Sequence, residues 1–479
     1  MAELKVDKIL PATGSSVSLS ESGKTVLIPS GATLDASAAT LSGIGARVDY
    51  CTSVQSSPFT AAAGKGYFIN TGSAVTVTLP SSPSAGDEII VIDSTGQAAT
   101  NNITLGRNTN KIKGLCADAT LENDREGVRI IYSGSSQGWI TVTSSNSTAP
   151  DLTQNLYITA TGGTVATCGN YKIHTFTSDG TFTVSCAGNS GGNDQLDYMV
   201  VAGGGGGGTG GGGGGGGAGG FRESRNPANA PAWTASPLAS TTSLTVTATS
   251  FPVTIGAGGA GGCAPTPGPA RCGSNGNNSV FSTITSTAGG GGGQAGDAQP
   301  LAPGNPGGSG GGSGQNSPPA TNSAGTGNTP PVSPPQGNNG GQGNTSGNTP
   351  GSGGGGGASA VGANSPGIRA GGNGGAGVST SISGASVARS GGGGGGANGQ
   401  NPGGGPPTNI CSSSPGDGGT GGGGNGGGSP ASPRPETGGS GTANTGGGGG
   451  GNGTPGYVAG GSGGTGGSGV VIIRYKFQN

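Results

Sequence analysis

Charge and aromatic surface are both scarce in this sequence of 479 residues: 8% of positions are charged, 4% are aromatic, and histidine occurs once. Residues 1–150 hold ten Lys or Arg against twelve Asp or Glu, and the remainder nine against eight. No basic stripe of the kind a nucleic-acid binder carries is therefore present. No stretch approaches the ~20 apolar residues of a membrane helix. The opening Met1-Ala-Glu-Leu-Lys-Val-Asp7 has no apolar signal region, so the expectation is a soluble protein made in a cytoplasm. Heptad spacing is missing, which excludes a coiled coil. A strict Gly-X-Y period is missing too, which excludes collagen. Seven cysteines in a chain this long do not make a dense disulfide scaffold. Cys263 and Cys272 flank a short Pro-rich loop that either carries a disulfide or leaves two free thiols, the form cytosolic assembly favours. Cys51, Cys116, Cys168, Cys186 and Cys411 show no metal-ligand spacing, and neither a metal nor a cofactor is expected.

Glycine is abundant instead, with 118 residues beside 32 prolines. Such a composition, without a period, ordinarily reads as disorder. The distribution argues otherwise. Uninterrupted runs at 203–208, 210–217, 289–293, 353–357, 391–396 and 446–451 are bracketed by two apolar strand-like segments, Leu196–Ala202 and Val470–Tyr475. A linker needs no such brackets, so the two ends are predicted to pair and the glycine region to fold between them.

Glycine buries no side chain to offset the loss of backbone freedom, the largest of any residue type. Only the amide is left to do so. An extended helix with three residues per turn points its N–H and C=O groups outward, where neighbouring helices of the same kind meet them. Peripheral helices should then place their non-glycine residues every third position. Ala459, Ser462, Thr465 and Ser468 follow that spacing, as do Ala370, Asn373 and Ala376, and Ala257, Ala260 and Cys263. The pure runs 289–293, 353–357, 391–396 and 446–451 are the predicted interior. Six such residues span about 19 Å, which sets the thickness of the slab.

Upstream, residues 1–45 are short apolar pieces separated by turns, too short to bury a core alone and stable if wound with copies of themselves. Residues 46–150 show recurring period-two segments, from Gly66-Tyr-Phe-Ile-Asn70 to Gly138-Trp-Ile-Thr-Val-Thr143, and read as an antiparallel sandwich with Trp139 as a core or interface anchor. Residues 151–202 read as a linker followed by a hairpin platform turning at Ser178-Asp-Gly180. The single histidine, His174, is expected on the solvated face of its strand. The fold class is all-β: a fibrous β stem, an antiparallel sandwich-like domain, then a small β platform carrying a polyglycine II bundle over residues 203–479, with no significant α-helix.

The loops between glycine runs hold nearly all the side-chain information. Phe221-Arg-Glu-Ser-Arg225 leads to Trp233, and Arg222, Arg225 and Trp233 are of the types that dominate binding hot spots. Trp233 has two readings: a stacking face for a ligand, or a plug on the sheet platform. Ile410, Arg434 and Glu436 are further candidate contacts, in Pro-rich loops that favour pre-organised presentation.

These motifs, in this order, resemble the glycine-rich tail-fibre and adhesin proteins of bacteriophages, above all marine ones. Tyr198-Met-Val-Val-Ala-Gly-Gly, Gly217-Ala-Gly-Gly-Phe221, Pro252-Val-Thr-Ile-Gly-Ala-Gly-Gly, Asn278-Ser-Val-Phe-Ser282 and Gly467-Ser-Gly-Val-Val-Ile-Ile-Arg-Tyr475 carry the likeness over roughly 165–476. Phe59-Thr-Ala-Ala-Ala-Gly-Lys-Gly-Tyr-Phe-Ile-Asn70 looks like a β domain found upstream in such fibres, and Leu4-Lys-Val-Asp-Lys-Ile9 resembles their virion-proximal ends. The resemblance implies a virion protein, a homotrimer attached through its N-terminus to tail or adaptor proteins. Loops at the far end of its polyglycine II bundle would contact a host polysaccharide or outer-membrane protein, without catalysis, nucleic acid or membrane insertion. The alternatives are a fibre-borne polysaccharide depolymerase, which needs two carboxylates ~5–10 Å apart, and a glycine-rich wall or matrix protein.

Overall fold

Alternating apolar residues make strands, and the structure, a computed structural model, pairs them into sheets without any helix among the residues it describes. Those residues are 48–142, 155–189, 191–227, 233–263, 272–295, 303–315, 323–344, 351–367, 369–397, 414–428, 436–453 and 461–478. The expected stem, 1–45, lies outside them.

The upstream sandwich has a five-stranded sheet (Asp49–Tyr50, Lys65–Ile69, Glu88–Asp93, Gly127–Tyr132, Trp139–Thr141) facing a four-stranded one (Phe59–Thr60, Val75–Thr78, Ile103–Gly106, Ala119–Leu121). Ile69, Val77, Ile89, Val91, Leu105, Ile130 and Trp139 fill the space between them. Its pairing differs from the antiparallel expectation. Lys65–Ile69 runs parallel to Glu88–Asp93, and Val75–Thr78 parallel to Ile103–Gly106. The first six strands alternate between the two sheets, so each crosses over the sandwich before rejoining its own sheet, and only the last three return antiparallel. A crossover returns a strand parallel to its predecessor, where a tight turn would return it antiparallel. The outer face of the five-stranded sheet is largely apolar too, with Tyr50, Ile140 and Val142 exposed and Phe68, Ile90, Ile92 and Ile131 half-buried, around the ion pair of Arg129 and Glu88.

The bracketing strands pair as predicted. Val470–Lys476 lies antiparallel to Gln195–Val201 at the centre of a sheet, with Val200 opposite Val471 and Asp197 opposite Arg474. A second sheet, built on Gly180–Ala187 and Ser250–Thr254, packs against one face of the first through Phe182, Val253, Phe281, Val471 and Ile473. The Asp179-Gly180 turn is not a hairpin turn. Tyr171–Phe176 pairs with Thr164–Cys168 and Val470–Lys476, whereas Gly180–Ala187 belongs to the other sheet, so the turn carries the chain across the sandwich. The hairpin forms one strand earlier, around Gly169-Asn170, with Gly169 at positive φ.

The glycine region leaves this platform as parallel and antiparallel extended rods joined by backbone hydrogen bonds of period three. In 203–208, the amides of Gly203 and Gly206 donate to Asn277 and Ser274, those of Gly204 and Gly207 to Gly467 and Gly464, and those of Gly205 and Gly208 to Gly217 and Gly214. The carbonyls of the same residues accept, in the same rotation, from 289 and 292, from 259 and 262, and from 449 and 452. One rod thus has six neighbours, three reached through donors and three through acceptors. The rod 213–219 is likewise surrounded, by 203–208, 287–293, 309–312, 353–356, 393–396 and 446–452. None of residues 203–208 or 213–217 takes the positive φ that a right-handed extended form would need. This is polyglycine II packing.

Residues 203–208, 289–293, 353–357, 391–396 and 446–451 are buried throughout, while Ser462 and Thr465, Ala257 and Ala260, and Asn373 lie exposed on the periphery. The three-residue spacing therefore marks the outward face, as the sequence predicts. In the pure glycine runs there is no room for a methyl group: a Cβ on Gly205 would stand 2.2 Å from the Gly290 oxygen, and one on Gly216 2.2 Å from the Gly205 oxygen. Both neighbours are backbone, which cannot rotate away. Gly205→Ala and Gly216→Ala should each lower stability by about 3 kcal/mol or more in a denaturant titration, at or above the usual overpacking range. Ser462→Ala, on an exposed face, should leave it within about 0.5 kcal/mol.

Candidate functional site

The rods run alternately away from the platform and back, so the bundle has two ends with different contents. At the near end lie the returns to the sheets, among them Phe221–Ser224, the hairpin Val378–Thr380 with Val387–Arg389, and the Pro-rich stretch ending at Gln336, whose side chain is buried against Thr287. At the far end, the turn 209–212 is ringed by the ends of other rods. Ala295 donates to Thr209, Gln315 to Gly212, Gly396 to Gly213 and Asn452 to Gly208. Cys263, Ala295, Gln315, Ala397, Gly428 and Gly453 are among the described rod ends at this side.

This division places the candidate contacts. Arg222 and Arg225 are half-buried at the near end. Trp233 also belongs there and is 5% exposed, packed with Ile173, Met199, Val201, Phe221, Ile382 and Ile472. Of its two readings the plug is the one the structure adopts. Arg225 donates to the Trp233 carbonyl (2.9 Å), and the Arg474 guanidinium lies between the rings of Tyr171 and Trp233, 4.9 and 5.9 Å from their centres. Glu436 sits at the far end, its carbonyl accepting from Gly453. Ile410 and Arg434 fall outside the described residues.

Around Trp233 the sheet buries charge. Asp197 accepts from the Asn226 amide (2.8 Å) and the Ser243 hydroxyl (2.7 Å). Glu223 accepts from the Ser236 amide (2.8 Å) and from the Thr380 hydroxyl. Burial pushes the Glu223 carboxyl above its ordinary range and pulls Arg389, beside it, below its own. These carboxylates fasten the 225–243 excursion and the 378–389 hairpin to the sheet. Both are enclosed in hydrogen bonds.

His174 corrects a second expectation. It is fully buried, because its strand has sheet cores on both sides: Ile173 faces the Trp233 cluster and His174 the sandwich interior. Its Nδ1 lies 2.7 Å from the Gly162 carbonyl, which only accepts, so Nδ1 carries the proton and Nε2 accepts from the Tyr475 hydroxyl at 3.0 Å. Burial lowers its pKa, and it raises that of Tyr475 to about 12.

Cysteine pairing differs as well. Cys263 and Cys272 remain thiols, and the disulfide joins Cys116 of the upstream sandwich to Cys186 of the platform, with Cα atoms 6.5 Å apart. Seventy residues separate them in sequence, and no local spacing signals the pair. Among the described residues no group of three His, Cys, Asp or Glu side chains could hold a metal ion, and no helix is long and apolar enough to cross a membrane.

A family profile described as a glycine-rich domain matches residues 175–476, from the inner platform strand to the closing one. The chain belongs to the glycine-rich domain family. No curated protein matches it. The family match spans both the bundle and the sheets that bracket it, consistent with their folding as one unit.

A pH prediction follows from His174. Its folded pKa is lowered, so in the unfolded chain, where the ordinary value is about 6.5, it binds a proton first. Its stabilisation is complete above about 6.5 and is lost as pH falls through its folded pKa. Unfolding free energy should drop by up to about 1.4 kcal/mol per pH unit over that window. Glu223, shifted upward, works in the opposite sense at lower pH. In denaturant titrations His174→Gln should be less stable than the parent at pH 7.5 and show a shallower acid slope.

Proposed function

We propose that this glycine-rich protein is a phage tail fibre or adhesin that contacts the bacterial surface at the far end of its polyglycine II bundle and performs no catalysis. The observation that supports this most is the different content of the two ends of the bundle. Rigid, hydrogen-bonded rods return to the platform at one end, and at the other their described ends, Ala295, Gln315, Gly396, Asn452 and Glu436 among them, lie around the turn 209–212. Ile410 and Arg434 lie outside the described residues. A surface made of loops on a rigid scaffold can change its specificity without disturbing the fold. Burial of Asp197 and Glu223 as hydrogen-bond acceptors favours this reading over a depolymerase, since neither carboxylate faces an open cleft.

Assembly as a homotrimer, attached to the virion through the N-terminal region, is part of the same proposal. The apolar outer face of the five-stranded sheet supports self-association there, since strands apolar on both faces suit burial on both.

Purified full-length protein should compete with phage for adsorption to host cells. Replacing Arg434 and Glu436 together with alanine should weaken that competition about tenfold or more with the melting temperature unchanged. Replacing Arg222, at the opposite end, should leave competition intact. Undiminished competition by the double variant, with loss on substituting Arg222, would place the contact surface at the platform instead.

A further inference from the structure

A cleft of about 380 Å³ opens where the upstream sandwich meets the platform. Arg107, Asp118 and Thr120 line it from the sandwich, and Asn155, Tyr157 and Phe477 from the platform. Its size falls within the range of ligand sites, about 300–1,000 Å³. Two aromatic rings stand among hydroxyl, amide, carboxylate and guanidinium groups, a mixture that matches the apolar faces and hydroxyl rims of a sugar. Among the described residues three cationic side chains and two carboxylates stand around it. Lys172 Nζ lies 4.6 Å from the centre of the Phe477 ring and Lys476 Nζ 6.0 Å from that of Tyr157, Arg107 and Asp118 are part of the lining, and the Thr120 hydroxyl donates to the Glu122 carboxylate. The Tyr157 hydroxyl, buried in the wall, has no hydrogen-bond partner among the described residues, a condition rare in folded proteins.

We propose that this cleft binds a short acidic oligosaccharide, one bearing uronic-acid carboxylates, as a second contact apart from the bundle's far end. The inference rests on reading the chain as a surface-binding protein. Because the walls come from two sheet systems, the site exists only while they are docked. The Cys116–Cys186 disulfide ties them together at the cleft itself, with Cys116 part of the lining. Binding is therefore sensitive to reduction.

The test is calorimetric titration of the full chain with galacturonate, alginate and hyaluronate oligomers, and with neutral maltooligosaccharides as the control. At least one acidic oligomer should bind and the neutral ones at least tenfold more weakly. Asn155→Ala, at an exposed lining position, and Tyr157→Ala should each reduce that affinity at least fivefold. Reduction with dithiothreitol, or Cys116→Ser, should reduce it similarly. Thermal melts of each variant show whether the fold survives, and Asn155→Ala carries the test should Tyr157→Ala unfold. The proposal is overturned if no acidic oligomer binds, if neutral oligomers bind equally, or if binding survives both Asn155→Ala and reduction. Adsorption competition separates the two readings. Competition without binding at the cleft removes only this inference, and loss of competition on changing the far-end residues bears only on the bundle.

Discussion

Everything in the glycine-rich half depends on the backbone amide being satisfied from three directions in turn. A glycine in a polyglycine II rod has one donor and one acceptor and nothing else, and successive residues point them 120° apart. Six neighbours around Gly203–Gly208 are the consequence, each rod reached by every third amide or carbonyl. Glycine is needed at positions such as Gly205, Gly207 and Gly216 because a methyl group there would stand about 2 Å from a neighbour's carbonyl oxygen, although Ala218, Ser309 and Ser352 are accommodated inside. The same rule relaxes at the edge, where a face has no neighbour, and there alanine, serine, threonine and asparagine appear.

Rods of this kind have no side-chain core to choose their register, so an element with ordinary packing has to fix it. The platform does so. Gln195–Val201 launches the first rod and Val470–Lys476 receives the last, and the two strands are paired at the centre of one sheet. Trp233, Arg474, Glu223 and Thr380 then pin the near-end excursions onto that sheet. Among the described residues the far end carries no such fastening to a sheet, and the bundle is fixed from its base.

Much of this was legible in the residues. The two apolar strands flanking the glycines announced the closure, and Ala257, Ala260 and Cys263, or Ser462 and Thr465, announced the outward faces. Local pattern failed where the deciding contact is remote. Period-two alternation is the same for parallel and antiparallel strands, so the crossovers of the upstream sandwich left no trace. Asp179-Gly180 has hairpin chemistry but connects two sheets. His174 reads as solvated because only the second sheet, built from residues 180–187 and 250–286, shows that its side of the strand is covered. Cys116 and Cys186 meet only when two sheet systems dock, whereas Cys263 and Cys272 are the free thiols that one of their two readings gave. Arg222, Arg225 and Trp233 had the composition of a binding loop but return to the platform.

The central claim is that the glycine runs are a hydrogen-bonded solid rather than a flexible tether, and native-state amide hydrogen exchange tests it most directly. Protection in 203–208, 213–217, 391–396 and 446–451 should be as high as in the central strands Gln195–Val201 and Val470–Lys476, and should be lost with them in a single cooperative unit. Exchange at unprotected rates through these runs, with the flanking strands still protected, would contradict the account.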